Sequence, residues 1–221
     1  MSYYKNFGLV LGNPLWRVYI RWVLDKSIDD FGKLRFKPDF KKKNFTCLLC
    51  GVGNEATAEE YIKFVVKRNE NPAVWIIDLG KEQIDAVKTM ISRKFPKLNV
   101  KIKQTNALEL DQIIKPGSID WLETDGLFEF FDNKSLKKLL AVWKNILNKD
   151  GFITTTATSS RWKFQEYVDR FKVWTGRVWL GVTVYRHTRE EMRNNIISSG
   201  FEFVEGPTFI PYFKRYSIVK T

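Results

Sequence analysis

Histidine and cysteine are nearly absent. The 221 residues hold one histidine and two cysteines, which excludes a disulfide scaffold and any cage of His and Cys metal ligands. No metal site is expected. Long apolar runs are missing too. LLAVW (139–143) and AVWII (73–77) reach only five residues, far short of the roughly 20 that a membrane-spanning helix needs. The start, MSYYKNFGLVLGNP, has no apolar stretch of signal-peptide kind. Repeats and low-complexity linkers are also absent. The expectation is a cytoplasmic protein of one domain, with no membrane partner.

What is present is ample core material and an excess of positive charge. Hydrophobic residues make up 44% of the chain, enough for a sizeable core. The net charge is +12, and its distribution says more than its total. Residues 1–50 carry 10 Lys/Arg against 4 Asp/Glu, residues 51–158 carry 16 against 15, and residues 159–221 carry 11 against 6. The middle is balanced and the two ends are basic. Five of the eight tryptophans, Trp16, Trp22, Trp162, Trp174 and Trp179, lie in those ends. Basic residues interleaved with aromatics suit a nucleic acid or an anionic small molecule; they also suit a surface that merely keeps the protein soluble.

The middle alternates two periodicities. TCLLC (46–50), AVWIID (73–78), LNVKIKQT (98–105), SIDWLET (118–124) and FITTTAT (152–158) read as strands. Between them, 54–68, 81–95 and 133–149 carry apolar residues at helical spacing, with Asp150-Gly151 expected to break the last. This is the pattern of a parallel sheet covered on both faces, with ligands bound beyond the carboxyl ends of the strands. The ends depart from it. Asn13-Pro14 reads as a helix start, with the helix running to about residue 25. RWKFQEYVDRFKVW (161–174) is a second aromatic, basic helix. Thr188 and Glu191 fit a capping box for a helix over 189–199. FEFVE (201–205) and RYSIVK (215–220) read as a closing antiparallel pair.

Several positions can carry chemistry. CGVGNE (50–55) joins a strand to a helix: Gly51 permits a tight turn, Gly53 lets a ligand approach the backbone, and the helix start presents unpaired N–H groups. Asp78 closes the second strand, where a carboxylate can accept hydrogen bonds from a sugar diol. Asn106-Ala107 follows the third strand. ETDG (123–126) ends the fourth and puts Asp125 at the rim, with LFEFF behind it as an apolar pocket floor. His187 can act as a base at the pocket mouth or serve as a surface residue. Cys47 and Cys50 lie about 10 Å apart on one strand, too far for a disulfide, and read as core thiols.

These residues together resemble the class I S-adenosylmethionine-dependent methyltransferases. The resemblance covers roughly residues 46–221 and rests on CGVGNE, Asp78, Asn106-Ala107, TDGLFEFFD, the helix with NKDGFITTT after it, and the two final strands. It implies a Rossmann-like α/β fold: seven strands, mostly parallel, in the order 3-2-1-4-5-7-6, with an antiparallel last strand. An N-terminal helical cap over 1–45 and a substrate-side insertion over 159–187 complete the expected organisation. It also implies S-adenosylmethionine as cofactor and S-adenosylhomocysteine as product, surrounded by Cys50, Gly51, Gly53, Asn54, Glu55, Asp78, Leu79, Asn106, Ala107, Thr124 and Asp125. The chain departs from the family's glycine motif, with Cys47 in place of its acid and Leu49 in place of its first glycine.

The expected reaction is transfer of a methyl group to an oxygen or nitrogen of a small anionic or aromatic molecule, with Asp125 and His187 as candidate bases. Both basic ends are expected to reach over the sheet's carboxyl edge. Tyr3, Tyr4, Trp16 and Tyr19 would then face the methyl donor, with Arg17, Arg21, Arg161, Arg177 and Arg186 converging above it; Tyr4, Trp16, Tyr19, Arg161, Arg177 and Arg186 are the candidate substrate-binding residues. An RNA acceptor is the second reading. A nucleotide-binding oxidoreductase and a non-catalytic protein on the same fold are the third and fourth.

Overall fold

The computed structural model describes residues 13–159, 163–179, 181–210 and 213–221. In chain order the elements are α1 (Pro14–Asp30), a 3-10 turn (Phe31–Leu34), β1 (Thr46–Cys50), α2 (Glu55–Val66), β2 (Ala73–Asp78), α3 (Lys81–Lys94), β3 (Val100–Gln104), β4 (Ile119–Asp125), α4 (Asn133–Ile146), β5 (Leu147–Thr158), α5 (Lys163–Trp179), α6 (Arg189–Ser198), β6 (Phe201–Pro207) and β7 (Phe213–Lys220). Further 3-10 turns follow β3 (Ala107–Gln112) and β4 (Leu127–Phe130). The strands form one sheet in the order β3-β2-β1-β4-β5-β7-β6. The first five run parallel, and β7 lies antiparallel between β5 and β6. This is the topology expected from the sequence.

Alternation along the strands divides the core in two. Cys47, Leu49 and Trp121 face α1, α2 and α3. Leu48, Cys50 and Leu122 face α4 and α6. Trp121 packs among Phe40, Tyr61, Phe64 and Phe152, so residues ahead of β1 belong to the same core as the sheet. Helix α1 lies along a sheet face, held by Tyr19, Ile20, Val23 and Leu24. Both cysteines are buried and unpaired. Burial pushes the Cys47 thiol up to about 12, as an inert core residue requires.

Two element ends differ from expectation. Helix α1 continues to Asp30, because Asp30 and Ser27 find buried partners on β7. Helix α4 ends at Ile146, and Asp150-Gly151 falls within β5. Capping matches the local sequence elsewhere. Asn13 caps α1 with Pro14 at its first position, and Thr188 and Glu191 form the capping box of α6. Among the described residues, no helix is long and apolar enough to cross a membrane, and no group of three His, Cys, Asp or Glu is placed to hold a metal.

Candidate functional site

Parallel register brings the carboxyl ends of β1, β2, β3 and β4 to one edge. Cys50 lies beside Ile77, and Asp78 beside Gln104. The chain leaves β1 through Gly51 at φ +80°, and the Gly51 N–H donates to the Ile77 carbonyl at 2.9 Å. A Cβ at Gly51 would be strained and would stand 3.0 Å from Leu127 Cδ1. Asn54 then caps α2, its Oδ1 accepting from the N–H groups of Ala56 and Thr57 at 3.0 and 3.1 Å. Its side chain therefore shapes the turn and is 2% exposed.

Asp78 ties this turn to the next. Its two carboxylate oxygens accept from the N–H groups of Val52 and Gly80, each at 2.6 Å. Burial raises its pKa, and the backbone N–H groups of Val52, Gly80 and Leu79 oppose that rise. A carboxylate offers about four acceptor positions, so these backbone bonds leave acceptor capacity for a ligand hydroxyl. Asn106 caps the 3-10 turn after β3, accepting from Leu108 N–H at 3.0 Å.

Around these tips lies a cavity of about 550 Å³. Gly51, Gly53, Asp78, Leu79, Asn106, Ala107 and Asp125 all line it. So do Leu127, Phe130 and Phe131, the outward members of the LFEFF segment, and Val182. Leu79 is 69% exposed, an apolar side chain at the rim. Cys50 and Thr124 are fully buried beneath the strand ends and do not line the cavity. Glu55 is half-buried at the first position of α2, also outside the lining.

Asp125 is the acid at the far wall. Burial lifts its pKa to about 6, assisted by nearby Glu129 and opposed by the bond it accepts from Thr156 Oγ1. It belongs to a row of acids served by one strand. Thr154 Oγ1 donates to Glu123, Thr156 Oγ1 to Asp125, and the Thr158 N–H to Glu129 at 3.1 Å. Glu123 is buried, and burial carries its pKa well above the ordinary carboxylate range. In the register, Glu123 lies beside Leu49 of β1. Glu123 and Asp125 also line a small void shared with Tyr19, Leu49 and Tyr61. The sequence signal for this row was two acids spaced two apart on β4 beside TTTAT on β5; alternation puts such residues on one face.

The other expected residues fall elsewhere. His187 is 2% exposed. Its Nδ1 lies 3.1 Å from Asn133 Oδ1, and its Nε2 lies 3.2 and 3.0 Å from the carbonyls of Phe128 and Phe131. It fastens the loop before α6 to the start of α4 and is not in the cavity lining, so the geometry does not make it a base at the mouth. Arg17 bonds Glu59 and Glu60 at 2.8 and 3.0 Å, and Arg21 stands 3.5 Å from Glu60. Arg177 is exposed on α5, and Arg186 is half-buried. Among the described residues lining the cavity there is no lysine or arginine, which corrects the expectation that arginines converge there. Trp16 is half-buried against the core, and Tyr19 is buried beside Asp125. Tyr3, Tyr4 and Arg161 lie outside the described residues.

No family profile matches the chain, and no curated protein matches it. Solved structures do. The cyclopropane synthase MmaA2 from Mycobacterium tuberculosis superposes with a TM-score of 0.67 at 14% identity, covering 89% of this chain and 84% of that one. Magnesium protoporphyrin IX methyltransferase (ChlM) from Synechocystis PCC 6803, solved with bound SAH, gives 0.63 at 11% identity over 92% and 84%. A SAM-dependent methyltransferase from Methanosarcina mazei gives 0.60 at 14% identity over 82% and 94%. At these identities the likeness is one of fold.

Proposed function

We propose that this chain, which has the fold of the class I S-adenosylmethionine-dependent methyltransferases, binds S-adenosylmethionine in the cavity at its strand tips and methylates a small molecule. The observation that carries the reading is the convergence of Gly51, Asp78, Asn106 and Asp125 on one cavity of about 550 Å³. The residues present fit the cofactor at its nucleoside end. The turn at Gly51 holds a positive φ that a side chain would strain, Asp78 keeps acceptor capacity for a ribose, and Leu79 and Ala107 offer apolar surface to a base. At the other end the motif's acid and first glycine are replaced by Cys47 and Leu49, and Glu123 is the carboxylate beside Leu49.

When bound, S-adenosylmethionine supplies a methyl group already activated as a sulfonium, so the protein's part is to orient an acceptor and exclude water. Leu127, Phe130, Phe131 and Val182 supply the apolar wall. Asp125, with a pKa of about 6, can take a proton from an acceptor oxygen or nitrogen near neutral pH. Among the described residues, the charged side chains lining the cavity are Asp78 and Asp125, which favours an uncharged or basic acceptor with apolar surface over an anionic one.

Thermal melting tests the cofactor reading. S-adenosylhomocysteine should protect the protein against heat and NAD should not. Asp78→Ala should weaken S-adenosylhomocysteine binding by about 1–3 kcal/mol in calorimetry, through loss of charge-assisted bonds. Unchanged affinity in that variant would put the ribose elsewhere, and protection by NAD alone would replace this reading with the oxidoreductase one.

A further inference from the structure

Helix α5 presents two opposed faces. At 100° per residue, Asp169, Lys172 and Gly176 share its inner side. Asp169 is buried, Lys172 pairs with Glu129, and a Cβ on Gly176 would stand 2.9 Å from Val184 Cγ2. The opposite side carries Tyr167, Phe171, Trp174 and Val178, spaced four, three and four apart. These are exposed by 69, 63, 52 and 57%. The rings of Phe171 and Trp174 lie 5.8 Å apart at the centre of this stripe. Arg170 and Arg177 are exposed along one margin of it.

A second apolar exposure stands at the same end of the sheet. Phe209, 61% exposed, lies in the connection between β6 and β7. That connection opens at the carboxyl edge, because Phe213 pairs with Thr158, the last residue of β5. Phe209 stacks on Trp22 at 3.9 Å, and Leu15 and Val18 precede Trp22 on α1, exposed by 76 and 51%. The middle of α5 reaches this corner, with Lys172 Nζ 4.9 Å from the Phe213 ring. The inner side of α5 therefore adjoins the β6–β7 connection, with the aromatic stripe facing away from the sheet.

We propose that this aromatic face of α5 is a docking surface for a lipid bilayer bearing anionic headgroups. A contiguous apolar patch of this kind marks an interaction site. Its chemistry is that of an interfacial helix: aromatic and aliphatic side chains on one face, arginines at the margin, and a protein of net charge +12 behind them. Tryptophan at such a face sits at headgroup depth. The inference stands on exposure and charge and is independent of what the cavity binds. Its consequence is that the cavity, which α5 flanks through Val182, opens toward the bilayer.

Co-sedimentation of the full chain with vesicles tests it. With equal parts phosphatidylcholine and phosphatidylglycerol the protein should pellet, and with phosphatidylcholine alone its binding should fall about tenfold. Phe171→Asp combined with Trp174→Asp should abolish pelleting. The milder pair Phe171→Ser and Trp174→Ser should weaken it about tenfold while leaving the melting temperature nearly unchanged, since both side chains are more than half exposed. Brominated acyl chains should quench fluorescence in the wild type and lose part of that effect in Trp174→Phe. The proposal fails if wild-type protein stays in the supernatant with anionic vesicles, or if the double variants pellet as the wild type does. It fails equally if the wild type binds no vesicles and is a dimer that Phe171→Asp converts to monomer, since the stripe would then be a contact between copies.

Discussion

Asp125 illustrates what a single residue contributes. Its folded pKa of about 6 stands above the ordinary 3.8 because burial disfavours the charged form. Between those values the folded state binds more protons than the unfolded one, so stability falls as pH rises through that window. The cost is absent below the ordinary pKa and complete above about 6. Asp125→Asn keeps a polar side chain for Thr156 and removes the charge. It should be more stable than the wild type by about 1–3 kcal/mol at pH 8 and equal to it near pH 4, as read by urea unfolding at the two pH values. In the wild type, methyl transfer should rise through about pH 6 as the carboxylate forms, and Asp125→Asn should lose that rise. A gap between the two proteins that does not change with pH would show that Asp125 is not the group whose burial is being resisted. Residues of this kind were legible because a strand tip is a place, and the sequence marks where strands end. Asp78 ends the apolar run AVWII, and Asn106 and Asp125 stand at the ends of the strand-like segments LNVKIKQT and SIDWLET. His187 was not legible in the same way. Nothing around it in the chain shows that its ring nitrogens face carbonyls of Phe128 and Phe131, almost sixty positions earlier. The arginines failed for the same reason, since Arg17 faces Glu59 and Glu60 on a helix far along the chain.

Elements were legible where periodicity sets them and illegible where docking sets their ends. Helix α1 shows the difference. Its sequence turns polar at DKSIDD, yet the helix persists because Asp30 meets Arg215 of β7 at 2.8 Å with both side chains buried, and Ser217 Oγ donates to the Ser27 carbonyl at 2.7 Å. A buried pair broken on one side leaves an unpaired charge, which costs about 3–5 kcal/mol. Asp30→Ala should therefore loosen α1 from the sheet by that order in urea unfolding. Gly206 guards the same pair from β6: a Cβ there would stand 2.4 Å from Arg215 Nη2 and 2.7 Å from Asp30 Oδ2. Gly206→Ala should destabilise by displacing the pair, and the double variant should cost clearly less than the two single costs together, because both remove one interaction. Additive costs would mean that Gly206 acts through its backbone alone. The acids on β4 belong to this scale as well. Glu123 and Asp125 share a face with Trp121, and β5 meets them with Thr154 and Thr156. Alternation on each strand was visible, whereas the pairing of the two was fixed only by register.

At the scale of the whole molecule, charge and cavity point in different directions. The chain carries +12, but the side chains facing the cavity include two aspartates and no lysine or arginine among those described. The basic residues are engaged elsewhere or spread over the surface: Arg17, Lys63 and Lys94 gather on Glu59, whose pKa, despite burial, is held down to about 2, while Arg177 stands on the outer side of α5. Net charge alone had made an anionic or RNA acceptor attractive, because a sequence reports how many charges there are and not which surface bears them. Salt separates these cases. A protein that clasps six to ten phosphates loses about 10³–10⁵ in affinity between roughly 50 and 200 mM salt, since each neutralised phosphate releases counterions. An uncharged acceptor held against Phe130 and Phe131 releases none, and its binding should change by less than about twofold over the same range. Filter binding of bulk tRNA should accordingly be weak at the higher salt, with no radiolabel entering the RNA from labelled S-adenosylmethionine. Tight tRNA binding with a steep salt slope, joined to labelled RNA, would transfer the acceptor from the cavity wall to the basic surface and make the RNA reading the correct one.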